Sequence, residues 1–297
     1  MILKKEMIIA EPKSSSHAAS LIQLEGDNLL ASWFMGRKEG DISVDIWGAQ
    51  RIGGVWSEPF VIASNPEFPC WNPVPFRRKE GITMFYKIGR HPSNWDTWMV
   101  HTKDDGRSWT EPQPFLQDRG PVKLKPLHLT NGWVLFGGSR EGWERFAPYE
   151  SSIVNFPRWQ AFVDLSKDQK SESIQLNAIL NRIPMDGWDQ QVSGPGVIQP
   201  ALWESEGGNV HCLLRSTTGR ILRSDSTDYG ERWSMPQELE MPNNNSGLDV
   251  VQLSDGTLCL ICNPVESQLI SGPSKLLSIF ILTKVSVSSF LKYSALI

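Results

Sequence analysis

The chain has 297 residues, of which 40% are hydrophobic and 21% are charged, and this balance is typical of a globular protein rather than a disordered one. The formal net charge of -4 argues against a nucleic-acid groove. Thirteen Trp, 20 Pro and 24 Gly favour an all-β chain with many short strands joined by tight turns.

Residues 1–12 carry an apolar stretch that is too short for the hydrophobic region of a signal peptide. We therefore expect no secretion signal and, by default, a cytoplasmic location. Cys259 and Cys262 form a C-x-x-C within an apolar, strand-like run, where positions i and i+3 face opposite sides. Two thiols so arranged do not converge on one metal, so we expect free cysteines, no metal site and no cofactor.

Five segments in chain order predict hairpins, each with two apolar strands around a tight-turn dipeptide. The dipeptides are Gly26-Asp27, Glu80-Gly81, Asn131-Gly132, Gly207-Gly208 and Asp255-Gly256. The units recur roughly every fifty residues, a period typical of propellers and solenoids. The third interval is longer, which predicts an insertion around 141–157. Such a unit cannot bury both faces alone, so we predict four-stranded antiparallel blades stacked around an axis.

Segments 102–112 and 226–236 share the pattern S/T-x-D-x-G-x-x-W-S/T-x-P, and segment 53–59 keeps its second half. The Asp carboxylate can accept backbone N–H bonds and the Gly supplies a positive φ. The Trp is expected to pack between sheets, and the Pro to lie on an edge strand, where no N–H donor is needed. We therefore predict that this Asp is structural rather than catalytic. The tryptophans expected in equivalent positions near blade junctions are Trp56, Trp109 and Trp233.

The motif resembles the Asp box of bacterial and animal sialidases, whose fold is a six-bladed β-propeller. The chain is more specifically similar to the sialidase-like subfamily known as predicted neuraminidases, over about residues 14–278. The likeness is carried by SWFMGRKEG at 32–40, CWNP at 70–73, GPVKLKP at 120–126 and PNNNSG at 242–247. It implies a propeller domain over residues 1–282 with about five blades present.

The chain departs from the sialidase pattern in two places. Sialidases typically open with Phe-Arg-Ile-Pro, whose Arg binds the carboxylate of sialic acid, whereas residues 16–19 here read SHAA. Sialidases also use a Tyr nucleophile. Among the four Tyr of this chain, only Tyr149, in the insertion, is expected near a site.

The end of the sequence forms an atypical tail, 283–297, where the resemblance would continue with another Asp box. No acidic residue occurs between 276 and 297. We expect a truncated, alternatively spliced or frameshifted end that is poorly integrated in the fold. A membrane anchor is the rival interpretation, but lysines and serines interrupt the apolar run, and spanning needs roughly 20 mainly apolar residues.

In a propeller, the start of each inner strand and the loop after each second strand lie at the same end of the axis, opposite the Asp boxes. The inner strands are expected to start at His17, Asn72, Lys125, Gln199 and Asp249. The loops after the second strands supply Arg37 with Glu39, Lys87 with Arg90, Arg140 with Glu141, Arg215 and Asn263. Because polar residues recur there in five units, we expect one shared pocket. For each residue taken singly, a solvated loop or strand-end position is the alternative.

These residue types predict sugar chemistry. The side chains expected to bind substrate are His17, Arg37, Asn72, Lys87, Arg90, Lys125, Arg140, Gln199 and Arg215, since Arg in particular binds carboxylates through two bonds. The carboxylates expected to act as general acid or base are Glu39, Asp45, Glu141 and Asp249. Trp71, Trp95 and Trp143 are candidates for stacking on sugar faces, with core packing as the default for any Trp.

By resemblance, we expect a sialidase-like glycoside hydrolase scaffold that acts on glycans with an anionic terminal sugar. Whether the chain is an active enzyme stays open at this point. The alternatives are another glycosidase or a polysaccharide lyase on the same propeller, or a non-catalytic glycan-binding or interaction propeller. We expect a monomer with a glycan partner, no nucleic-acid partner and no membrane span. An acid/base pair with a nucleophile favours an enzyme, whereas a cationic, aromatic pocket without them favours a binding protein.

Overall fold

The computed structural model describes residues 6–8, 14–116, 119–149, 152–167, 179–182, 196–265, 278–282 and 294–296. Across these residues the structure is almost entirely β, with one single-turn 3-10 helix at Glu206–Gly208. No helix in this part of the chain is long and apolar enough to cross a membrane. The chain divides into two compact units, an N-terminal unit, Ile2–Lys125, and a C-terminal unit, Pro126–Ile297. The all-β prediction is confirmed.

The N-terminal unit contains two antiparallel sheets. Sheet 1 consists of β1 (Ser15–Gln23), β2 (Leu29–Gly36), β3 (Asp45–Ile52) and β4 (Val55–Trp56), and β5 (Phe60–Ala63) also pairs with β3. Sheet 2 consists of β6 (Cys70–Arg78), β7 (Gly81–Ile88), β8 (Asp96–Thr102) and β9 (Gln113–Leu116). The two sheets share one apolar core, to which sheet 1 contributes Leu30 and Phe34 and sheet 2 contributes Met84 and Tyr86.

The C-terminal unit contains three antiparallel sheets. Sheet 3 consists of β10 (Leu127–His128), β11 (Val134–Tyr149), β12 (Ser152–Ser166) and β13 (Ile179–Arg182). Sheet 4 consists of β14 (Val197–Glu204), β15 (Val210–Ser216), β16 (Arg220–Ser226) and β17 (Gln237–Pro242). Sheet 5 consists of β18 (Asp249–Gln252), β19 (Leu258–Cys262), β20 (Ser278–Leu282) and β21 (Ser294–Leu296). Sheets 3 and 4 enclose a core that includes Leu135, Val163, Cys212 and Leu214.

Apart from β5, which pairs with β3, the strands of every sheet follow their order in the chain, as expected for blades built from consecutive hairpins. The predicted insertion around 141–157 extends the hairpin of β11 and β12, whose paired residues run from Val134 opposite Ser166 to Tyr149 opposite Ser152. In the tail, β21 pairs with β20, so at least Ser294–Leu296 belongs to sheet 5. The rest of the tail lies outside the described residues, and the domain boundary at 282 stays a prediction.

The turns at 102–109 and 226–233, which we call the Asp-box turns, are folded around a carboxylate. Asp104 Oδ1 accepts hydrogen bonds from Thr102 Oγ1 at 2.7 Å and from the N–H groups of Arg107 and Ser108 at 3.1 and 2.9 Å. The Ser108 hydroxyl donates to Asp104 Oδ2 at 2.6 Å. These bonds, those from Ser108 and Thr102 foremost, hold the pKa of Asp104 well below its usual range. Asp228 accepts the corresponding bonds from Ser226 Oγ and the Arg232 N–H.

Each Asp-box turn places its Gly against a leucine of the preceding sheet. Gly106 has φ +92°, and a Cβ added there would lie 3.3 Å from Leu30 Cδ2. Gly230 has φ +85°, and its Cβ would lie only 2.8 Å from Leu135 Cδ1. The positive φ therefore favours glycine at both positions, and a Cβ there would also displace the leucine methyl group. Trp109 and Trp233 pack against the same cores, so the predicted anchoring role holds for both.

The first strands of sheets 1, 2 and 4 carry a bulge at the same place. The bulged residues are Ala18, Asn72 and Gln199, with φ of 52°, 47° and 56°. The pairing shifts between His17 and Ser20, between Trp71 and Val74, and between Ile198 and Ala201. A bulge leaves an extra residue outside the ladder and bends the strand, which re-aims the side chains at that end of the sheet.

These pairings correct the predicted equivalence of the inner-strand residues. Ala18, not His17, occupies the bulge position that Asn72 and Gln199 occupy. In sheet 5, Asp249 pairs with the fourth residue of β19, Ile261. In sheet 4, the residue that pairs with the fourth residue of β15, Leu213, is Ala201. Asp249 therefore lies two positions beyond the place of Gln199. The sequence comparison failed because the bulge inserts a residue that counting along the chain does not reveal.

Replacing Asp104 with Asn should lower the midpoint of thermal unfolding by several degrees at pH 7, since an amide cannot accept all the hydrogen bonds of the carboxylate. Because the folded pKa of Asp104 is depressed, its stabilising effect is present above the unfolded pKa. The difference between wild type and Asp104→Asn should therefore shrink as the pH falls below about 4. The matched control is Asp105→Asn, because the Asp105 carboxylate forms an exposed pair with Arg77, and the hydrogen bond from Gln50 goes to the Asp105 backbone oxygen, which the substitution keeps. Equal unfolding midpoints for the two variants would contradict this role.

Substitutions at Asn72 test whether the bulge constrains the backbone. Asn and Gly adopt a positive φ readily, whereas a β-branched residue does not. We expect Asn72→Val to cost about 1–3 kcal/mol of unfolding free energy and Asn72→Gly to cost much less. Chemical denaturation of the two variants measures the difference. A smaller loss for Val than for Gly would show that the bulge does not constrain the backbone.

Candidate functional site

Two strands of the C-terminal unit bring a carboxylate, an amide and a hydroxyl together. Glu141 lies on β11 of sheet 3, and its Oε1 accepts a hydrogen bond from Ser139 Oγ at 2.8 Å. Gln199, the bulged residue of β14 in sheet 4, donates from Nε2 to the same Glu141 oxygen at 3.1 Å. Gly137 allows the two sheets to meet here, since a Cβ on it would lie 2.8 Å from Pro200 O. The bulge thus fixes the Glu141 carboxylate at the edge of both sheets.

An aromatic ring and a guanidinium complete the cluster. Trp159 on β12 is the direct partner of Glu141 on β11, so the two side chains project from the same face of sheet 3. Arg215, at the end of β15, lies over the Trp159 ring with Cζ 5.1 Å from its centroid. The Arg215 Nε donates to Asn245 Oδ1 at 2.9 Å. Stacking and hydrogen bonding together orient the guanidinium plane.

The loop that carries Asn245 is itself held by buried amides. Asn243 is fully buried, and its Nδ2 donates to Ser246 O at 2.9 Å. Asn263, at the end of β19 in sheet 5, has Nδ2 3.5 Å from Ser246 Oγ. Asn245 adopts φ 62°, the left-handed conformation that Asn tolerates better than most residues. Sheets 3 and 4 and the loop between β17 and β18 therefore supply the cluster of Glu141, Trp159, Gln199, Arg215 and Asn245, which we call the C-terminal cluster. Asn263 of sheet 5 supports it through the loop.

Lys87 in sheet 2 and Arg215 in sheet 4 occupy equivalent positions. Each pairs with the residue that precedes the bulge in the first strand of its sheet. Lys87 is only 1% exposed and lies 5.9 Å from the centroid of the Trp95 ring. Its Nζ donates to Thr97 Oγ1 at 2.5 Å and to Arg119 O at 2.9 Å. A side chain buried in this way ties β7 to β8 and to the segment around Arg119, so its structural role is clearer than its predicted role in binding.

In the N-terminal unit, aromatic rings lie near the bulges at Ala18 and Asn72. His17 stacks on Phe34, Phe34 contacts Trp71 edge-on, and Trp71 contacts Trp95 in the same way. Trp71 and Trp95 are each 5% exposed, so they belong to the core rather than to an open sugar platform. The side chain of Trp143 lies outside the described residues. A cavity of about 440 Å³ in this unit borders His17, Ala18 and Trp33 and has a largely apolar lining.

The acidic and basic residues of sheet 1 that were predicted to form part of the site lie around the loop between β2 and β3. Arg37 is exposed and pairs with Asp41 at 3.1 Å. Hydrogen bonds from Ser43, with a contribution from Arg37, lower the pKa of Asp41 to about 2. Glu39 is exposed in the same loop. Asp45 begins β3, and partial burial raises the pKa of its carboxyl group.

The other predicted site residues are placed as follows. Arg90 is exposed, with its guanidinium 6.0 Å from the centroid of the Phe68 ring. Lys125, Arg140 and Asp249 are half-buried, and Asn72 is 8% exposed at its bulge. The convergence of all these residues on one pocket stays a prediction. The tyrosine nucleophile of sialidases has no assigned counterpart among the described residues. Tyr86 is fully buried and has a raised pKa, and the side chain of Tyr149 lies outside the described residues.

Sequence reasoning found Glu141, Gln199 and Arg215 but missed Ser139, Trp159 and Asn245. Trp159 lies in the long hairpin of sheet 3, where no repeat predicts which residue faces Glu141. Asn245 belongs to the PNNNSG stretch, whose run of amides was noted as part of the resemblance but given no role. Among the described residues, no group of three or more His, Cys, Asp or Glu is placed to hold a metal ion.

Comparisons with solved structures relate this geometry to known folds. A protein of unknown function from Dyadobacter fermentans matches 93% of this chain and 80% of its own, with a TM-score of 0.67 and 14% identity. The NanB sialidase from Streptococcus pneumoniae matches 97% of this chain but only 62% of its own, with a TM-score of 0.67 and 11% identity.

The intramolecular trans-sialidase from Ruminococcus gnavus, in complex with oseltamivir carboxylate, matches 95% of this chain and 84% of its own. Its TM-score is 0.60 and its identity 13%. At such low identities these matches show the fold alone, which is the sialidase-type β-propeller. No curated protein matches the chain in sequence. The model of the BNR repeat-like domain matches residues 27–290, and the chain therefore belongs to this sialidase-like family of BNR-repeat proteins.

Proposed function

We propose that the C-terminal cluster binds the carboxylate of an anionic sugar and that the chain is a sialidase-like glycoside hydrolase. The observation that carries this proposal is the Arg215 guanidinium, stacked on Trp159 and oriented by Asn245. A guanidinium fixed in one plane suits two parallel hydrogen bonds to a carboxylate. The Trp159 ring offers an apolar surface beside that charge, as a sugar face requires.

Glu141 supplies the acid/base group in this proposal. Its position opposite Trp159 places a carboxylate beside the proposed sugar site. The hydrogen bonds from Ser139 and Gln199 hold one of its oxygens in a fixed orientation. In the reaction, Glu141 protonates the glycosidic oxygen as the bond to the leaving sugar breaks, and water completes the hydrolysis. The exposed Glu39 and the half-buried Asp45 and Asp249 are the other candidate carboxylates.

The family supports this assignment without fixing it. Two of the similar structures are named as a sialidase and a trans-sialidase, and one of them contains a ligand with a carboxylate. A second candidate function is glycan binding without catalysis. The Arg215 guanidinium over the Trp159 ring fits this alternative as well, because a cationic, aromatic pocket can bind an anionic sugar without a nucleophile.

Replacing Arg215 with Ala should weaken binding of a sialic or uronic acid about tenfold to more than a hundredfold, since a hydrogen bond to a charged group contributes about 1.5–3 kcal/mol. Isothermal titration with the free acid and with its methyl ester measures the contribution of the carboxylate. The matched control is Arg232→Ala, which removes an exposed Arg from the Asp-box end of sheet 4. Equal affinity in wild type and Arg215→Ala would exclude Arg215 as the carboxylate ligand.

Replacing Glu141 with Gln should lower kcat on an aryl glycoside about 100- to 10,000-fold, the usual contribution of a general acid or base. The amide oxygen can still accept from Ser139 and Gln199, so KM should change little. A fluorogenic panel of aryl glycosides with neutral and anionic sugars provides the measurement. Saturable binding without turnover of any glycoside by the wild type would favour the non-catalytic function. An unchanged kcat in Glu141→Gln would exclude it as the acid/base group.

A further inference from the structure

The opposite end of sheet 4 carries a second group of polar side chains. Ser205 Oγ lies 2.8 Å from His211 Nε2, and His211 Nδ1 lies 2.5 Å from Asp225 Oδ1. His211 is 4% exposed, whereas Ser205 is half-buried and the Asp225 side chain is 36% exposed. Ser205, His211 and Asp225 thus form one continuous chain of contacts from a hydroxyl through an imidazole to a carboxylate.

The fold positions each member of this chain. His211 on β15 is the direct partner of Asp225 on β16 and of Trp203 on β14, so the three side chains form a row across sheet 4. The Trp203 ring stacks on the imidazole with centroids 5.1 Å apart. Ser205 follows β14 directly, and its N–H donates to Asn209 O at 2.8 Å. Backbone pairing and stacking therefore hold the imidazole in one orientation between the hydroxyl and the carboxylate.

The charge of Asp225 decides the direction of the hydrogen bonds. Burial by itself would raise the pKa of Asp225, but the hydrogen bond with His211 and the neighbouring Arg223 lower it overall. Asp225 is therefore ionised at neutral pH and can only accept hydrogen bonds. In the tautomer that serves this acceptor, His211 carries its proton on Nδ1, which leaves a lone pair on Nε2. In that tautomer the Ser205 hydroxyl, which also lies 3.5 Å from Asn209 O, can donate to His211 Nε2, as a serine does when its base is ready to take the proton.

We propose that Ser205, His211 and Asp225 form a hydrolytic site that acts on small acyl esters with a good leaving group, such as aryl esters. Ser205 and His211 are its catalytic residues, and Asp225 is a positioning residue. Substrate can approach from the turn, where Gly207 leaves open space. A Cβ on Gly207 would meet only Asn209 Nδ2, at 3.7 Å.

The proposed reaction balances without any further reactant. Ser205 Oγ forms a bond to the acyl carbon while its proton passes to His211 Nε2, and the bond to the leaving oxygen breaks as that oxygen takes the proton from His211 Nε2 and departs as the phenol or alcohol. Water then attacks the acyl–serine ester and gives a proton to His211 Nε2. That proton returns to Ser205 Oγ as the carboxylic acid departs.

Arg223 modulates this site rather than taking part in the chemistry. Its Nε donates to both Asp225 oxygens, at 2.9 and 3.2 Å, and its Nη2 lies 3.2 Å from His211 Nδ1. It is a positioning residue for Asp225. The charged groups that face His211 from the described strands are Asp225 and Arg223, both on β16.

This site is separate from the proposed glycan site. His211 precedes Arg215 by four residues on β15, which corresponds to about 13 Å along a strand. The hydrolysis of aryl esters can therefore be present or absent whatever the outcome of the glycoside measurements.

The test treats the full chain with a fluorescent fluorophosphonate at neutral pH and locates the label by peptide mass spectrometry. We expect one labelled residue, Ser205, and no labelling after unfolding in denaturant. Ser205→Ala should abolish the labelling. Ser254→Ala, which changes an exposed serine in the corresponding turn of sheet 5, should leave it unchanged. Equal labelling of wild type and Ser205→Ala would overturn the proposal.

Two further variants distinguish chemistry from a structural role. Asp225→Asn should slow labelling and p-nitrophenyl acetate hydrolysis about 100- to 10,000-fold, since the amide no longer fixes the imidazole tautomer. Arg223→Gln should slow both reactions by a smaller factor, because it loosens Asp225 but leaves in place the carboxylate that contacts His211. Thermal unfolding of each variant checks that it is folded. Labelling at Ser205 with an unchanged rate in Asp225→Asn would overturn the proposal.

Discussion

The fold depends on the contact between the glycine of each Asp-box turn and a leucine of the preceding sheet. In the N-terminal unit this contact joins Gly106 to Leu30, and in the C-terminal unit it joins Gly230 to Leu135. The carboxylates of Asp104 and Asp228 fold the turns that present these glycines. A local hydrogen-bonded turn thus sets the distance between two sheets, and an apolar core forms between them only when that distance is right.

The bulges at Ala18, Asn72 and Gln199 impose the second constraint, at the other end of the sheets. Without the bulge, β14 would pair with β15 at Gln199 as at its neighbouring residues, and the Gln199 side chain would not be directed towards sheet 3. The bulge leaves Gln199 outside the ladder, and its amide reaches Glu141. Backbone strain of this kind persists only where the surroundings stabilise it, and it is enriched at functional sites.

The sequence predicted the parts of the structure that rest on local chemistry. Gly-containing dipeptides located the hairpins, and the Asp–Gly–Trp spacing located the turns that join sheets, because both depend on residues close together in the chain. The predicted equivalence of His17, Asn72 and Asp249 was wrong, because a bulge changes the register without a composition signal. Trp159 and Asn245 were missed for a related reason. Their roles arise from contacts between β12, β15 and the loop before β18, which residue type alone does not specify.

In sheet 4, the polar side chains of the two proposed sites lie near the ends of β15, and burial at its centre explains why. The middle of β15, formed by Cys212, Leu213 and Leu214, is at most 1% exposed and is committed to packing. A polar group placed there would lose its hydration without gaining a partner. Arg215 at one end and His211 at the other escape this cost, because Trp159 and Asn245 contact Arg215, and Ser205 and Asp225 contact His211. A single strand can therefore carry polar side chains at both ends while its centre remains apolar.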